Sequence, residues 1–205
     1  MNIRTVVFVA AAAAAFAGLA QPGVAADLAK AQAGHYALDK SHAKVVFSIN
    51  HLGFSTYYGF FTDLAGSLEL DPAAPANSAL SITININKMV TTDPKLDAKL
   101  KSDAFFDVAK FPKATFKSTN IELTGEGTGK LTGDLTLHGV TKPVTLDVTF
   151  NGAGTPPTTQ LYVVGFDAVG TLKRSDFGIN NFVPLVGDDV KLLISCEFDR
   201  AQPAH

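Results

Sequence analysis

The sequence predicts an all-β protein, an antiparallel sandwich or closed barrel of about eight strands with one or two short helices. Three observations carry this reading. Apolar and polar residues alternate with a period of two in run after run, clusters rich in Gly, Pro and Asp separate the runs, and a single passage has helical spacing. Alternation gives each strand one apolar and one polar face, the pattern of an antiparallel sheet packed on one side only.

The first 26 residues read as a secretory signal peptide. Arg4 supplies the positive start, Val6 to Leu19 a short apolar core, and Val24-Ala25-Ala26 a small-residue cleavage site. That core is shorter than the ~20 residues a spanning helix needs, and Gln21-Pro22-Gly23 interrupts it. Cleavage after Ala26 is expected, with no Cys following to take a lipid, which places the mature chain in a bacterial periplasm. Residues 27–34 read as a flexible leader, and residues 35–200 as one barrel domain.

Within that domain, Ala43, Val45, Phe47 and Ile49 alternate with polar neighbours, as do Leu80, Ile82, Ile84 and Ile86. Strand-like runs also cover 58–70, 113–123, 129–138 and 160–173. The clearest unit is Gly133–Phe150, where Leu135 and Leu137 alternate, His138-Gly139 begins a turn, and Val144, Leu146, Val148 and Phe150 resume the alternation. This is a hairpin with one greasy side. The last strand puts Val190, Leu192, Ile194, Cys196 and Phe198 on one face, with Lys191, Ser195, Glu197 and Asp199 on the other. The helical passage is Pro94 to Ser102, with Leu96 and Leu100 at i, i+4, Asp93 placed to cap it and Pro94 at its first position.

Composition narrows the function. With 17 basic and 19 acidic residues, a net charge of −2, and no Lys/Arg run, the chain lacks the footprint of a nucleic-acid binder. The lone Cys196 excludes an internal disulfide and, in the apolar phase of a strand, reads as an inert buried thiol. His35, His42, His51 and His138 are not spaced as a compact metal signature. There is no G-x-S-x-G elbow, phosphate loop or dinucleotide fingerprint, so nothing points to an enzyme or a cofactor.

Fifteen Phe and no Trp are unusual enough to use. Phe is bulky, rigid and free of polar atoms, which suits the wall of a hydrophobic tunnel, although ordinary core packing also explains it. In His51-Leu52-Gly53-Phe54-Ser55, His51 and Ser55 are placed to meet a ligand head group, or to hydrogen-bond backbone at a bend. Arg174, closing Lys173-Arg174, could hold an anionic head group at a barrel mouth, or pin a loop by pairing with an Asp.

Four segments in order carry a resemblance. His51, Gly53, Ser55, Gly59 and Phe61 fit H-x-G-x-S-x-x-x-G-x-F; Leu100, Ser102, Phe105, Phe106, Asp107, Val108, Pro112, Phe116 and Ser118 approximate a central motif; Gly133 to Val144 read G-D-L-T-L-x-G-V-T-K-P-V; and Arg174 to Gly178 read R-S-D-F-G. From about Tyr36 to Phe198 the chain resembles the YceI-like family of secreted polyisoprenoid-binding proteins. The family often has R-D-x-H-L in the central helix where this chain has Leu96-Asp97-Ala98-Lys99-Leu100, and a basic residue where Tyr58 stands.

The resemblance implies a lipocalin-like barrel around a long apolar tunnel for an isoprenoid quinone or polyprenyl phosphate. By apolar phase or family motif, the tunnel candidates are Phe47, Phe54, Phe60, Phe61, Phe105, Phe106, Phe116 and Phe166. The head-group candidates are His51, Ser55, Arg174 and, as a stand-in for the family's basic position, Lys99. The expected protein is a carrier or store. The alternative is a stress-related interaction module that docks on a membrane b-type cytochrome without a stored lipid. An open barrel edge or a shared ligand could pair two chains as a homodimer.

Overall fold

The computed structural model describes residues 27–201, so the proposed signal peptide lies outside the described residues. Eleven strands form: β1 (Gly34–Leu38), β2 (Lys44–His51), β3 (Ser55–Phe61), β4 (Leu64–Leu70), β5 (Ala79–Asn85), β6 (Met89–Val90), β7 (Lys113–Gly125), β8 (Thr128–Leu137), β9 (Val140–Gly154), β10 (Val163–Lys173) and β11 (Val186–Arg200). All pairings are antiparallel. Eight strands close a ring in the order β1-β4-β5-β7-β8-β9-β10-β11, and β1 pairs back on β11 to complete it. Of the sandwich and the closed barrel that the alternation allows, the chain forms the barrel, the lipocalin-like one that the resemblance implies.

The ring forks at β11. Its C-terminal half pairs β1, with Tyr36 opposite Arg200, and its N-terminal half pairs β2, with Val45 opposite Ile194. The strands β2, β3 and the short β6 therefore extend beyond the ring as a flap. The run read as one strand over 58–70 is divided into β3 and β4 by Thr62-Asp63. There the Asp63 backbone carbonyl accepts from Asn85 N (2.9 Å), and its carboxylate accepts from the Asn85 side chain (2.8 Å).

The period-two phase is realised strand by strand. Leu80, Ile82 and Ile84, then Val144, Leu146, Val148 and Phe150, then Leu192, Ile194, Cys196 and Phe198 all point into the barrel. Two glycines make room for rings from the neighbouring strand: a Cβ on Gly133 would sit 2.4 Å from the Phe116 ring, and one on Gly59 would sit 2.2 Å from that of Phe47. Helix α1 (Pro94–Lys101) starts as expected, with the Asp93 carboxylate accepting from Lys95 N at 2.8 Å.

Residues 27–34 are not a loose leader. Asp27 caps a 3₁₀ turn over Leu28–Lys30, Ala31 is buried, and the Arg200 guanidinium donates to Gln32 Oε1 (2.7 Å) and Ala33 O (2.9 Å). The Tyr36 hydroxyl also donates to Gln32 O (2.6 Å). Small and polar residues conceal this anchoring, which comes from the far end of the chain.

Candidate functional site

The barrel encloses a cavity of about 210 Å³. Its walls are mainly Leu, Ile and Val, with a row of three rings from adjacent strands: Phe150 to Phe166 at 5.4 Å and Phe166 to Phe198 at 6.3 Å between centroids. The cavity reaches the surface beside the β7–β8 turn, where Leu28, Pro75, Ser78, Leu123 and Thr128 surround a mouth. Its one charged wall residue, Lys130, has the outward phase of β8, because Leu131 points inward. Its Nζ pairs with Asp147 at 2.7 Å on the outer face. Apart from Ser78 and Thr128 at the mouth, the other wall side chains carry no nitrogen or oxygen, so the interior presents almost nothing but hydrocarbon.

The opposite end is plugged. Phe61 meets Phe106 edge-on at 6.1 Å and Phe47 at 5.4 Å, with buried Ile86 and Met89 in the same cluster and buried Phe177 closing the other side. The β8–β9 turn is locked to this plug. His138 and Gly139 both have positive φ (52° and 77°), the Phe111 and His138 rings lie 4.8 Å apart, and His138 Nδ1 lies 3.0 Å from Phe177 O. Since β8 runs from Thr128 at the mouth to Leu137 at the plug, the two ends are about 30 Å apart along the strand.

Of the predicted tunnel residues, Phe116 and Phe166 stand on the cavity wall. Phe47, Phe61 and Phe106 lie in the plug. Phe60 cannot share a wall with Phe61, because neighbours in a strand face opposite sides, and it is exposed. Phe54 is 90% exposed at a hairpin tip, and Phe105 stacks on exposed Phe182 (centroids 6.2 Å apart) outside the barrel. Phe150 and Phe198 were missed as wall residues. Their inward phase with Val148 and Cys196 was the available signal.

The predicted head-group residues all belong to the plugged end. His51 and Ser55 face each other at the base of the β2–β3 turn and are exposed. Lys99 Nζ sits 4.6 Å from the centre of the Phe182 ring. Arg174 is buried and donates four hydrogen bonds to backbone carbonyls: Nε to Gly187 (2.9 Å), Nη1 to Ile179 and Asn181 (both 2.8 Å) and Nη2 to Val186 (3.0 Å). Burial pulls its pKa down from the usual arginine value, against the opposing pull of Asp188. Arg174 therefore pins the 174–187 loop through carbonyls, where an Asp partner was expected, and has one N–H left to offer a ligand. Nearby Asp188 is raised by burial, but the hydrogen bonds from Ser175 outweigh this and hold it below the usual carboxylate value.

Two other groups complete the chemistry. Cys196 lies on the cavity wall, and burial pushes its thiol up to about 12, which suppresses the nucleophilic thiolate. Asp39, His42 and Glu197 offer ligand atoms within 4.8 Å of one another and are the described residues best placed to hold a metal. They are already occupied by a His42–Asp39 pair at 2.6 Å on the surface.

A closed antiparallel barrel with an apolar interior, open at one end, defines a lipocalin-like binding protein. Comparison with known proteins specifies the family. The YceI-like domain model matches residues 36–198. A UPF0312 protein of Ectopseudomonas mendocina is 42% identical over 170 residues, covering 82% of this chain and 88% of that one. One from Yersinia pestis is 41% identical over 169 residues, covering 82% and 87%. The crystal structure of the Campylobacter jejuni YCEI protein shares 32% identity with a TM-score of 0.67, covering 75% of this chain and 91% of that one. A polyisoprenoid-binding domain from Saccharophagus degradans shares the fold at 15% identity, with a TM-score of 0.61 over 83% of this chain and all of that one. The chain belongs to the YceI-like family.

Proposed function

We propose that this protein is a periplasmic carrier that sequesters the tail of a linear isoprenoid lipid in the barrel. The observation that supports this best is the cavity itself: hydrocarbon-walled, open at one end, and without an inward charge. Burying apolar carbon there yields about 0.8 kcal/mol per carbon before the cost of ordering chain and protein. The Saccharophagus degradans domain of the same fold, described as polyisoprenoid-binding and implicated in plant cell wall breakdown, is consistent with such a tail.

The reading has two consequences. A charged phosphate would lose its hydration in such an interior without gaining a partner, so the head group stays in water at the mouth, and quinones and polyprenyl phosphates of equal tail length bind alike. An engineered apolar cavity of about 150 Å³ takes one benzene. On that scale 210 Å³ holds about eight carbons, and longer isoprenoids require the barrel to widen.

The test is native mass spectrometry of the gently purified protein, with organic extraction of bound material. A stoichiometric isoprenoid adduct is expected. A mass that stays ligand-free after incubation with quinones and polyprenyl phosphates would sink the carrier reading and favour the interaction module for a membrane b-type cytochrome.

A further inference from the structure

Four large apolar side chains stand exposed together at the plugged end of the barrel. Leu52 (45% exposed) and Phe54 (90%) form the tip of the β2–β3 hairpin, and Phe182 (53%) and Leu185 (66%) come from the loop before β11. The two segments are tied to each other, since Leu52 N donates to Leu185 O at 3.1 Å, and the loop is closed on itself by Val186 N donating to Phe182 O at 2.7 Å. The Asn181 side chain is also bonded to Ala104 O, which fastens the loop to the segment after α1. Scattered surface hydrophobes are ordinary, but four on two joined loops form a patch.

The backbone holds these side chains outward. Leu52 and Phe182 both have left-handed φ (57° and 64°), a conformation that such hairpin tips normally give to Asn or Gly. Phe54 N donates to His51 O at 3.0 Å and Gly53 N to the Asn50 side chain at 2.8 Å, closing a tight turn from which the Phe54 ring projects. The result is a set of protruding knobs.

Positive charge frames the knobs. Lys99 lies over the Phe182 ring, and Lys95 shares its helix face at i, i+4. Among the described residues neither lysine makes a salt bridge, and three carboxylates near them are turned to other donors. Asp97 accepts from Thr91 N and Oγ1 (2.6 and 2.7 Å), Asp93 caps α1, and Asp107 pairs with Lys110 at 2.9 Å. Apolar knobs flanked by free ammonium groups match a membrane surface, where the rings enter the headgroup boundary and the lysines meet lipid phosphates.

We propose that this end of the barrel docks on the surface of a bilayer containing anionic phospholipid, through Leu52, Phe54, Phe182 and Leu185, with Lys95 and Lys99 on the phosphates. No helix among the described residues is long and apolar enough to cross a membrane, and the proposed contact is made by exposed side chains at the bilayer surface. The mouth then faces away from the membrane into water. The proposal does not depend on what the cavity holds.

The test is co-sedimentation with sucrose-loaded, protein-free vesicles of phosphatidylethanolamine and phosphatidylglycerol, compared with phosphatidylcholine alone. The protein is expected to sediment with the anionic vesicles and to be released by salt. The Phe54→Ser/Leu185→Ser variant should bind at least tenfold more weakly with an unchanged melting temperature, since both side chains are exposed. Lys95→Gln/Lys99→Gln should weaken binding about tenfold or more on anionic vesicles only. Because the chain has no Trp, Phe54→Trp supplies a single reporter whose emission should shift to the blue on binding. Absence of sedimentation, or equal sedimentation of the Phe54/Leu185 variant, overturns the proposal. Binding that appears only with vesicles carrying membrane proteins overturns it in favour of a protein partner.

Discussion

Replacing Arg174 by Met tests whether the charge at the plugged end serves a ligand or the fold. The substitution keeps the apolar stem and removes a guanidinium that supplies four backbone carbonyls: Gly187, Ile179, Asn181 and Val186. Hydrogen bonds from a charged donor contribute about 1.5–3 kcal/mol each. Some of those carbonyls will recover water when the loop loosens, and the desolvation of the guanidinium is no longer opposed to folding. The net loss should therefore be about 3–5 kcal/mol, the scale of removing one member of a buried charged network. With a urea m-value near 2 kcal/mol/M, the unfolding midpoint falls by roughly 1.5–2.5 M. Arg174→Lys should recover less than half, since an ammonium cannot reach four carbonyls with a planar fork. Lipid retention per folded molecule should not change. A variant with wild-type stability that has lost its lipid would refute this reasoning and return Arg174 to the head group.

Further perturbations separate the cavity from its frame. Ala168→Phe places a ring in the cavity and should abolish retention of an isoprenoid, at a stability cost of about 1–3 kcal/mol, as read by native mass spectrometry and urea unfolding. Unchanged retention would show that the tail lies elsewhere. Cys196, with its thiol pushed up to about 12, should react with a disulfide reagent at pH 8 at least a hundredfold more slowly when native than when unfolded. The Asp39–His42 pair sets a pH window. The hydrogen bonds from His42 and Ser41 hold the Asp39 carboxyl at about 2, so its contribution is full above about 4 and fades as pH falls towards 2. The same Asp39 raises His42, so that contribution is full below about 6.5 and is lost as pH rises through the raised value. Asp39→Asn removes both contributions, so melting temperature against pH should flatten on both sides; His42→Gln should flatten the alkaline side and weaken the acid side, where Ser41 still bonds Asp39. A profile identical to wild type in both would remove the pair from the account.

The strands were legible because a barrel wall imposes the simplest sequence pattern there is. Leu80, Ile82, Ile84 and Leu192, Ile194, Cys196 had to alternate, since every second side chain meets the interior. Helix α1 was equally legible, because Asp93-Pro94 is a local start signal. The site was less so. Phe60 and Phe61 were both assigned to the tunnel, although strand geometry admits only one of them. The polar candidates were chosen by residue type, and type does not reveal that they belong to the plugged end, which the length of β8 separates from the mouth by about 30 Å. Nor could Arg174 announce its role, because its four acceptors are carbonyls, which every sequence contains. The order of residues 27–34 was hidden for a related reason: its anchor, Arg200, lies at the other end of the chain.

The forked strand β11 also dictates a timetable. It pairs β10 over Asp189 to Asp199, β1 with its last residues and β2 with its earlier ones, so three seams await one segment. Chains emerge N-terminus first. Until the last fifteen residues of the barrel arrive, β1, β2 and β10 all present unpaired edges, and the greasy interior is a gutter open along its side. Folding of the whole wall is therefore gated by its final strand, which makes the reaction slow and non-local. During that interval a lipid tail can be laid in sideways, with no need to thread it through the mouth. For the proposed carrier, loading and closure would then be one event, and a ligand present while the chain folds would be enclosed by a wall that the same ligand, added later, would enter only from the end.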